Sequence, residues 1–183
     1  ETTPSKLLPL GAGLFTVGAL FAHASTALHL DGQSATSWLN TLVAASTAML
    51  AAVGTAKLIF KRVHHFSYVV GLIAGVTASA AGCGTIAAQS ALVVGVVAGS
   101  LCVLVFELIL ARSHANVPLG LFVVQATGGT LGVLFTGLFA VSSLGVKRWD
   151  GTPVSGWIEN NQLDFGIDQT VAVLVIAGLA LCG

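Results

Sequence analysis

Charged side chains are scarce in this sequence. They make up 8% of its 183 residues, whereas a soluble globular domain usually carries about 25%. Hydrophobic residues account for 55% of the chain, and the mean hydropathy is +0.94. Because so few charges cannot cover a water-facing surface, the composition excludes an ordinary soluble domain and indicates that lipid is the main solvent.

The sequence also lacks a basic excess, a cysteine pattern and a catalytic motif. Seven Lys and Arg balance seven Asp and Glu, so we expect no nucleic-acid partner. Cys83, Cys102 and Cys182 lie far apart in apolar runs, without metal-ligand spacing and without the pattern of a disulfide framework. No paired carboxylates, Ser/His/Asp set or phosphate-binding loop occurs, so we expect neither an enzyme nor a resident metal.

What the chain has instead is a series of long apolar runs. A membrane-spanning helix needs about 20 mostly apolar residues. The runs are continuously apolar rather than alternating, which predicts helices and not barrel strands. We therefore predict an all-α integral membrane protein, a single domain over residues 1–183 with five transmembrane helices and a partial sixth. The predicted spans are 7–29, 37–60, 66–85, 88–110 and 118–144, and the partial sixth is 167–182.

Basic residues are distributed unequally between the two ends of these spans. With a cytoplasmic or stromal N-terminus, five of them lie on or near the inner side and two lie outside, which is the bias expected of membrane proteins. The pattern does not distinguish a plasma or inner membrane from an organellar or thylakoid membrane. The inner set is Lys6, Lys57, Lys61, Arg62 and Arg112, and the outer set is Lys147 and Arg148.

Glycines recur at the spacing of helix contacts. In lipid no hydrophobic force drives helices together, so tight packing depends on the close backbone approach that small residues allow. Three GxxxG pairs are present, and each is compatible with packing inside one bundle or with an interface to another subunit. The pairs are Gly71 with Gly75, Gly95 with Gly99, and Gly128 with Gly132.

Three polar side chains within the spans are candidates for function. Gln125 lies near the middle of the fifth span, where an amide needs a protein partner or a cavity. It either makes an interhelical hydrogen bond or lines a cavity, and it shares one interior site with His23 if the first and fifth helices are neighbours. His23 could be a packed neutral imidazole, and both His23 and His29 could ligate the magnesium of a chlorophyll-type pigment.

Five blocks of the sequence resemble successive spans of the ammonium transporter (Amt/Rh) family. GALFAHASTAL at residues 18–28 resembles the family's GWFGFNAGSAL, and NVPL at residues 116–119, followed by Gln125 and GLFA, is similar to its DDPLxxFAVHGxGGxxGxxxTGLFA. The order and spacing of the blocks strengthen the resemblance beyond that of any single block. Residues 18–28, 39–41, 71–82, 91–99 and 116–140 correspond in order to the family's sixth to tenth spans.

The resemblance implies a fold and a set of pore residues. In the family, two five-helix repeats of inverted topology enclose a pore at their interface, and this chain resembles the second repeat, the C-terminal half of the fold. Gln125 then stands at the position of a pore histidine, Ala22 at that of a gating phenylalanine, and His23 at that of the following asparagine. The implied substrate is ammonium or ammonia.

These observations leave three functional hypotheses open. The chain could be an ammonium transporter-like protein that needs a partner to complete its pore. It could be a non-conducting accessory subunit, packed by its glycine faces against a larger membrane complex. It could also be a pigment-binding subunit of a photosynthetic assembly, in which case chlorophyll would be its one cofactor. In each case its partners are the lipid bilayer and other membrane subunits or further copies of itself.

Overall fold

Helices form nearly all of the regular structure. A computed structural model describes residues 4–25, 32–64, 66–112, 117–144, 147, 151–160 and 164–182. Four of the described helices, the first, second, fourth and fifth in chain order, are long and apolar enough to cross a membrane, and the prediction of an all-α membrane protein is confirmed. In chain order the helices are α1 Pro4–Ser25, α2 Gly32–Ile59, α3 Ser67–Ser79, α4 Ala88–Arg112, α5 Val117–Phe139, a 3₁₀ turn at Ser142–Leu144, α6 Trp157–Asn160 and α7 Asp164–Cys182.

The helices are arranged around α3. Helices α2 and α4 pack extensively on each other, and α3 lies against both of them while also contacting α1 and α5. Helix α5 in turn packs on α4 and α7. The buried residues at the centre are small, such as Ala44, Ala48 and Ala74. Small side chains let the backbones approach closely, which is the means of tight packing available in lipid.

The third predicted span was wrong in its length. Its regular helix has 13 residues and ends at Ser79, not at residue 85. Beyond it the backbone makes tighter three-residue bonds, with Gly82 N donating to Ser79 O at 3.1 Å and Thr85 N to Gly82 O at 2.9 Å. The buried Asn40 side chain of α2 binds this turn, because its Nδ2 donates to the backbone carbonyls of Cys83 and Ile86, each at 2.7 Å.

The fifth predicted span also extends too far. Helix α5 ends at Phe139 rather than at residue 144, because Ala140 leaves the helix and forms an antiparallel bridge with Ile86. The backbone N–H of Val141 donates to Thr85 O at 2.8 Å, and that of Gly156 to Ala140 O at 2.7 Å. Hydrogen bonds between distant segments thus replace the helical bonds at this end of the bundle.

The other predicted boundaries differ from the observed ones by a few residues. Helix α2 begins at Gly32 rather than at residue 37, and α7 begins at Asp164 rather than at 167. Helix α4 extends from Ala88 to Arg112, close to the predicted 88–110. The described part of the first span is Pro4–Ser25, and residues 26–29 of the prediction lie outside the described residues.

All six glycines of the GxxxG pairs lie at crossings between helices of this chain. Gly71 and Gly75 of α3, like Gly95 and Gly99 of α4, meet the alanine face of α2, whereas the glycines of α5 meet α3. A Cβ at Gly71 would lie 2.7 Å from the Ala48 carbonyl oxygen, too close for a side chain. The glycines therefore act within the bundle, where backbone of one helix touches backbone of the next. The facing residues are Ala44, Ala45, Ala48 and Ala52 on α2, and Ala74 and Ala78 on α3.

Replacing Asn40 by leucine is expected to destabilise this end of the bundle. The substitution removes both hydrogen bonds that the Asn40 amide donates to the turn, which should cost about 1–3 kcal/mol. Unfolding in mixed micelles of increasing denaturing detergent, followed by far-ultraviolet circular dichroism, measures the loss. Ser46→Ala is the matched control, because the exposed Ser46 hydroxyl bonds only within α2, to Leu42 O at 2.7 Å. Equal stability of the two variants would contradict the role given to Asn40.

Candidate functional site

An open cavity of about 410 Å³ lies between α1, α3 and α5. One face of α1 forms much of its wall, from Phe15 to Ala22 and His23, with Thr77 of α3 and Gln125 of α5 completing it. The positions on α1 follow helical spacing, so they share one side of that helix. The structure thus brings His23 and Gln125 to the wall of the same cavity, although they are far apart in sequence.

His23 is held by a hydrogen bond between helices. It lies in the last described turn of α1, and its Nδ1 is 2.9 Å from the hydroxyl oxygen of Thr41 on α2. Thr41 is fully buried, and its hydroxyl donates to Ser37 O, one turn earlier in its own helix, at 2.8 Å. The imidazole is partly buried, so it is anchored on the protein side while its ring contributes to the cavity wall.

Gln125 occupies the border between the packed side and the open side of α5. Its neighbours Val124 and Gly128 are buried, and Gly128 lies against Ala74 and Thr77 of α3. The Gln125 side chain itself is exposed and lines the cavity. An exposed amide at membrane depth is costly when it faces hydrocarbon, so this face of α5 suits contact with protein or with a water-containing path.

Ala22 contributes only a small side chain to the cavity wall. Its side chain is exposed and lines the cavity. The ring of the preceding residue, Phe21, packs edge-to-face on Trp38 of α2, with ring centroids 5.4 Å apart at 89°. The Phe21 ring therefore packs against α2. At the cavity wall, the position that the family resemblance assigned to a phenylalanine carries only the methyl group of Ala22.

Phe15 and Thr77 are cavity residues that sequence reasoning missed. Phe15 lies two turns before His23 on the same face of α1, so helical periodicity counted back from His23 would have indicated it. Thr77 carries no comparable signal, because its hydroxyl bonds to Ile73 O at 2.7 Å within α3 and its place at the cavity depends on how α3 crosses α5.

The chemistry of the cavity is that of a mostly apolar surface with a few polar groups. Among the described residues that line it, His23, Thr77 and Gln125 supply the hydrogen-bonding side chains, and none carries a formal charge. In the part of the chain that the structure describes, no group of three or more His, Cys, Asp or Glu residues could hold a metal ion. His29 lies outside the described residues, and pigment ligation by His23 stays a prediction.

A bundle of helices that are long and apolar enough to cross a membrane is an integral membrane protein. The family model of the Ammonium Transporter Family matches residues 2–183. The chain belongs to this family.

Curated relatives and solved structures agree with this assignment. The chain is 28% identical over 142 residues to an ammonium transporter of Bacillus subtilis, which covers 78% of this chain and 35% of that protein. It is 25% identical over 173 residues to an ammonium transporter of Aquifex aeolicus, with 94% and 40% covered. The structure of Saccharomyces cerevisiae Mep2 superposes with a TM-score of 0.75 at 26% identity, over 91% of this chain and 40% of that one.

The fold is shared more widely than the sequence. The structure of Candida albicans Mep2 superposes with a TM-score of 0.76 at 21% identity, over 90% of this chain and 36% of the other. The chain therefore spans well under half the length of the relatives it matches. This agrees with the resemblance to one half of the family fold.

Proposed function

We propose that this chain forms one wall of a conduction path for ammonium or ammonia, and that the path conducts only when a second helical lobe covers the cavity. The observation that carries the proposal is the open cleft lined by His23, Thr77 and Gln125, with Gln125 exposed. The second lobe could belong to the same polypeptide, to another copy of this chain or to a different membrane subunit. Membership of the ammonium transporter family supports the choice of solute.

The lining favours a small solute that crosses in neutral form. A mostly apolar wall imposes a large desolvation cost on a cation and a much smaller one on neutral ammonia. The few polar groups can exchange hydrogen bonds with an N–H donor without trapping it. These properties support passage of a solute rather than catalysis, since the described cavity holds no nucleophile activated by a base.

The open geometry of the cavity supports the need for a second lobe. A site between two repeats needs both of them, and the cavity here is open rather than enclosed. In a bilayer, lipid would cover the exposed Gln125 unless protein did so, and an amide in hydrocarbon lacks hydrogen-bond partners. A covering lobe therefore both closes the path and satisfies this side chain.

The membrane orientation follows from the distribution of charge. We infer that the N-terminus is cytoplasmic or stromal, because this places Lys57, Lys61 and Arg62 on the inner side in accord with the positive-inside bias. Helix α1 then crosses outward, and His23 lies toward its outer end. Protease protection of tags at the N-terminus and after Arg62, in sealed vesicles, tests the assignment.

Transport is tested by reconstitution with and without a second lobe. Liposomes containing this chain alone are expected to take up labelled methylammonium no faster than empty vesicles. Liposomes that also contain the first five-helix repeat of the Bacillus subtilis relative are expected to show uptake at least about ten times above that background, an increase equal to lowering the barrier by about 1.4 kcal/mol.

The control for this experiment is the foreign repeat without this chain. Uptake by that control at the level of the mixture would contradict a contribution of this chain. No uptake by a mixture whose two parts migrate together on native gels would instead favour a non-conducting accessory subunit, the alternative that the glutamine at position 125 favours.

A further inference from the structure

The first turns of α2 bond to two walls of the cavity from behind. Asn40 and Thr41 are adjacent and fully buried, and neither is among the described residues that line the cavity. Thr41 Oγ1 lies 2.9 Å from His23 Nδ1 on α1. Asn40 Nδ2 donates to Cys83 O and Ile86 O, each at 2.7 Å, in the turn that follows α3. Successive residues of a helix point in different directions around its axis, so this one pair reaches both α1 and α3.

These contacts lie at the ends of the two walls. His23 is itself a wall residue, and Ala80, at the end of the α3 wall, leads into the turn that Asn40 binds. A further bond from α2 to the last turn of α1 joins Ser34 Oγ to Ala24 O at 3.4 Å. The start of α2 therefore holds the end of the α1 wall and the end of the α3 wall on one helix.

The turn that Asn40 binds is also connected to the third wall. Ile86 forms an antiparallel bridge with Ala140, just beyond the end of α5. The backbone N–H of Val141 donates to Thr85 O at 2.8 Å. Removing the Asn40 amide would thus free a segment to which both α3 and α5 are attached.

We propose that Asn40 and Thr41 are positioning residues that together set the separation of the cavity walls, and through it the size of the solute that the cavity admits. A wall bonded to a buried side chain cannot move away without leaving buried polar groups unpaired, which costs free energy. The consequence for solute size rests on the proposed function. A cavity of fixed width discriminates against an amine that is larger by one methylene by about tenfold or more.

The wall separation is measured in the full chain, reconstituted in bilayers, without reference to transport. Nitroxides are attached through a ketone-bearing amino acid at Ser25, in the last described turn of α1, and at Ala81, in the turn after α3; both residues are exposed. Double electron–electron resonance gives the distance between the two labels. We expect a single narrow distance distribution in the parent chain, and a longer and broader one in Asn40→Leu and in Thr41→Val.

A second pair of labels reports whether the rest of the bundle is intact. Leu50 of α2 and Leu101 of α4 are both exposed and lie on the two helices that pack on each other most extensively. The distance between these labels should be the same in the parent chain and in both variants. A change in both label pairs would mean that Asn40 and Thr41 support the bundle as a whole, and it would overturn the proposal.

Conservative and matched variants separate positioning from a general effect of substitution in α2. Thr41→Ser keeps the hydroxyl and is expected to retain the parent distance between the labels at Ser25 and Ala81. Thr36→Val is the matched control, because the Thr36 hydroxyl donates to Gly32 O within its own helix, at 2.8 Å, and the distance should be unchanged. An unchanged distance in either Asn40→Leu or Thr41→Val, or a changed one in Thr41→Ser, would overturn the proposal.

The choice between two amines distinguishes this inference from the proposed function. In liposomes that contain the second lobe, the ratio of methylammonium to ethylammonium uptake is expected to fall about tenfold in Thr41→Val and to keep its parent value in Thr36→Val. Uptake of both amines at an unchanged ratio would overturn the role in solute size. If the distances change as proposed and neither amine is taken up, the positioning role stands and the proposed ammonium path is contradicted.

Discussion

Replacing Gly99 by leucine is expected to destabilise the bundle severely. Gly99 of α4 crosses α2 with backbone against backbone, and a Cβ at this position would lie 2.7 Å from the Ala48 Cα and in still closer contact with its carbonyl oxygen. Backbone atoms cannot move aside as a flexible side chain can, so α2 and α4, which pack on each other most extensively, would have to separate. We expect a loss of at least about 3 kcal/mol in the free energy of unfolding.

Gly54 provides the matched control for this substitution. It also lies within a long helix, α2, but a Cβ there would meet no atom within 4 Å. Gly54→Leu should therefore change stability by less than about 0.5 kcal/mol, the usual range for surface sites. Detergent titration followed by circular dichroism, together with the yield of monodisperse protein, compares the two variants. Equal stability would show that α2 and α4 do not cross at Gly99.

The same crossing shows how far the sequence predicts the fold. Long apolar runs predicted the existence and approximate length of α1, α2, α4 and α5, because a span in lipid requires about 20 apolar residues whatever surrounds it. The GxxxG spacing indicated helix contacts. It could not say which helices meet, since Gly71 of α3 and Gly99 of α4 reach the same alanine face of α2.

The errors in the prediction have a common physical origin. Helix α3 ends at Ser79 because Asn40, a residue of a different helix, binds the turn that follows it. Helix α5 ends at Phe139 because Ala140 pairs with Ile86. Both segments are apolar enough to continue as helix, so local composition favours a longer span, and only contacts between distant parts of the chain shorten it.

In the candidate site, too, the sequence predicted individual residues but not the contacts between helices. The sequence indicated His23 and Gln125 as candidates, because polar side chains within apolar spans are costly unless they face protein or a cavity. Their meeting at one cavity depends on α3, which packs on both α1 and α5. The partnership of His23 with Thr41 was not predictable from spacing, since it depends on the rotation of α2 relative to α1.

Gln125→His is expected to produce the largest functional gain. Ammonium that passes an apolar cleft as neutral ammonia must first transfer a proton, and the group that takes it must later release it. A glutamine amide forms hydrogen bonds but cannot exchange a proton near neutral pH, whereas imidazole can. In liposomes that contain the second lobe, we expect methylammonium uptake to rise on the order of 10²-fold.

Two variants test whether the gain depends on the site rather than on an added imidazole. Thr130→His places the same side chain elsewhere on α5, at an exposed residue whose hydroxyl bonds to Ala126 O within the helix at 2.8 Å. This variant should leave uptake at the parent level. The combination of Gln125→His with His23→Gln should lose most of the gain, because a relay across the cavity needs an exchanging group on both the α1 and α5 walls.

The absence of a second lobe provides the decisive comparison for this prediction. Without it, Gln125 is exposed on an open cleft, and an imidazole at that position would face lipid rather than a path. Gln125→His in the chain alone should therefore show no uptake above empty vesicles. A gain in the chain alone would mean that one copy already encloses a path, and a missing gain in the two-lobe liposomes would mean that proton exchange at position 125 does not limit passage.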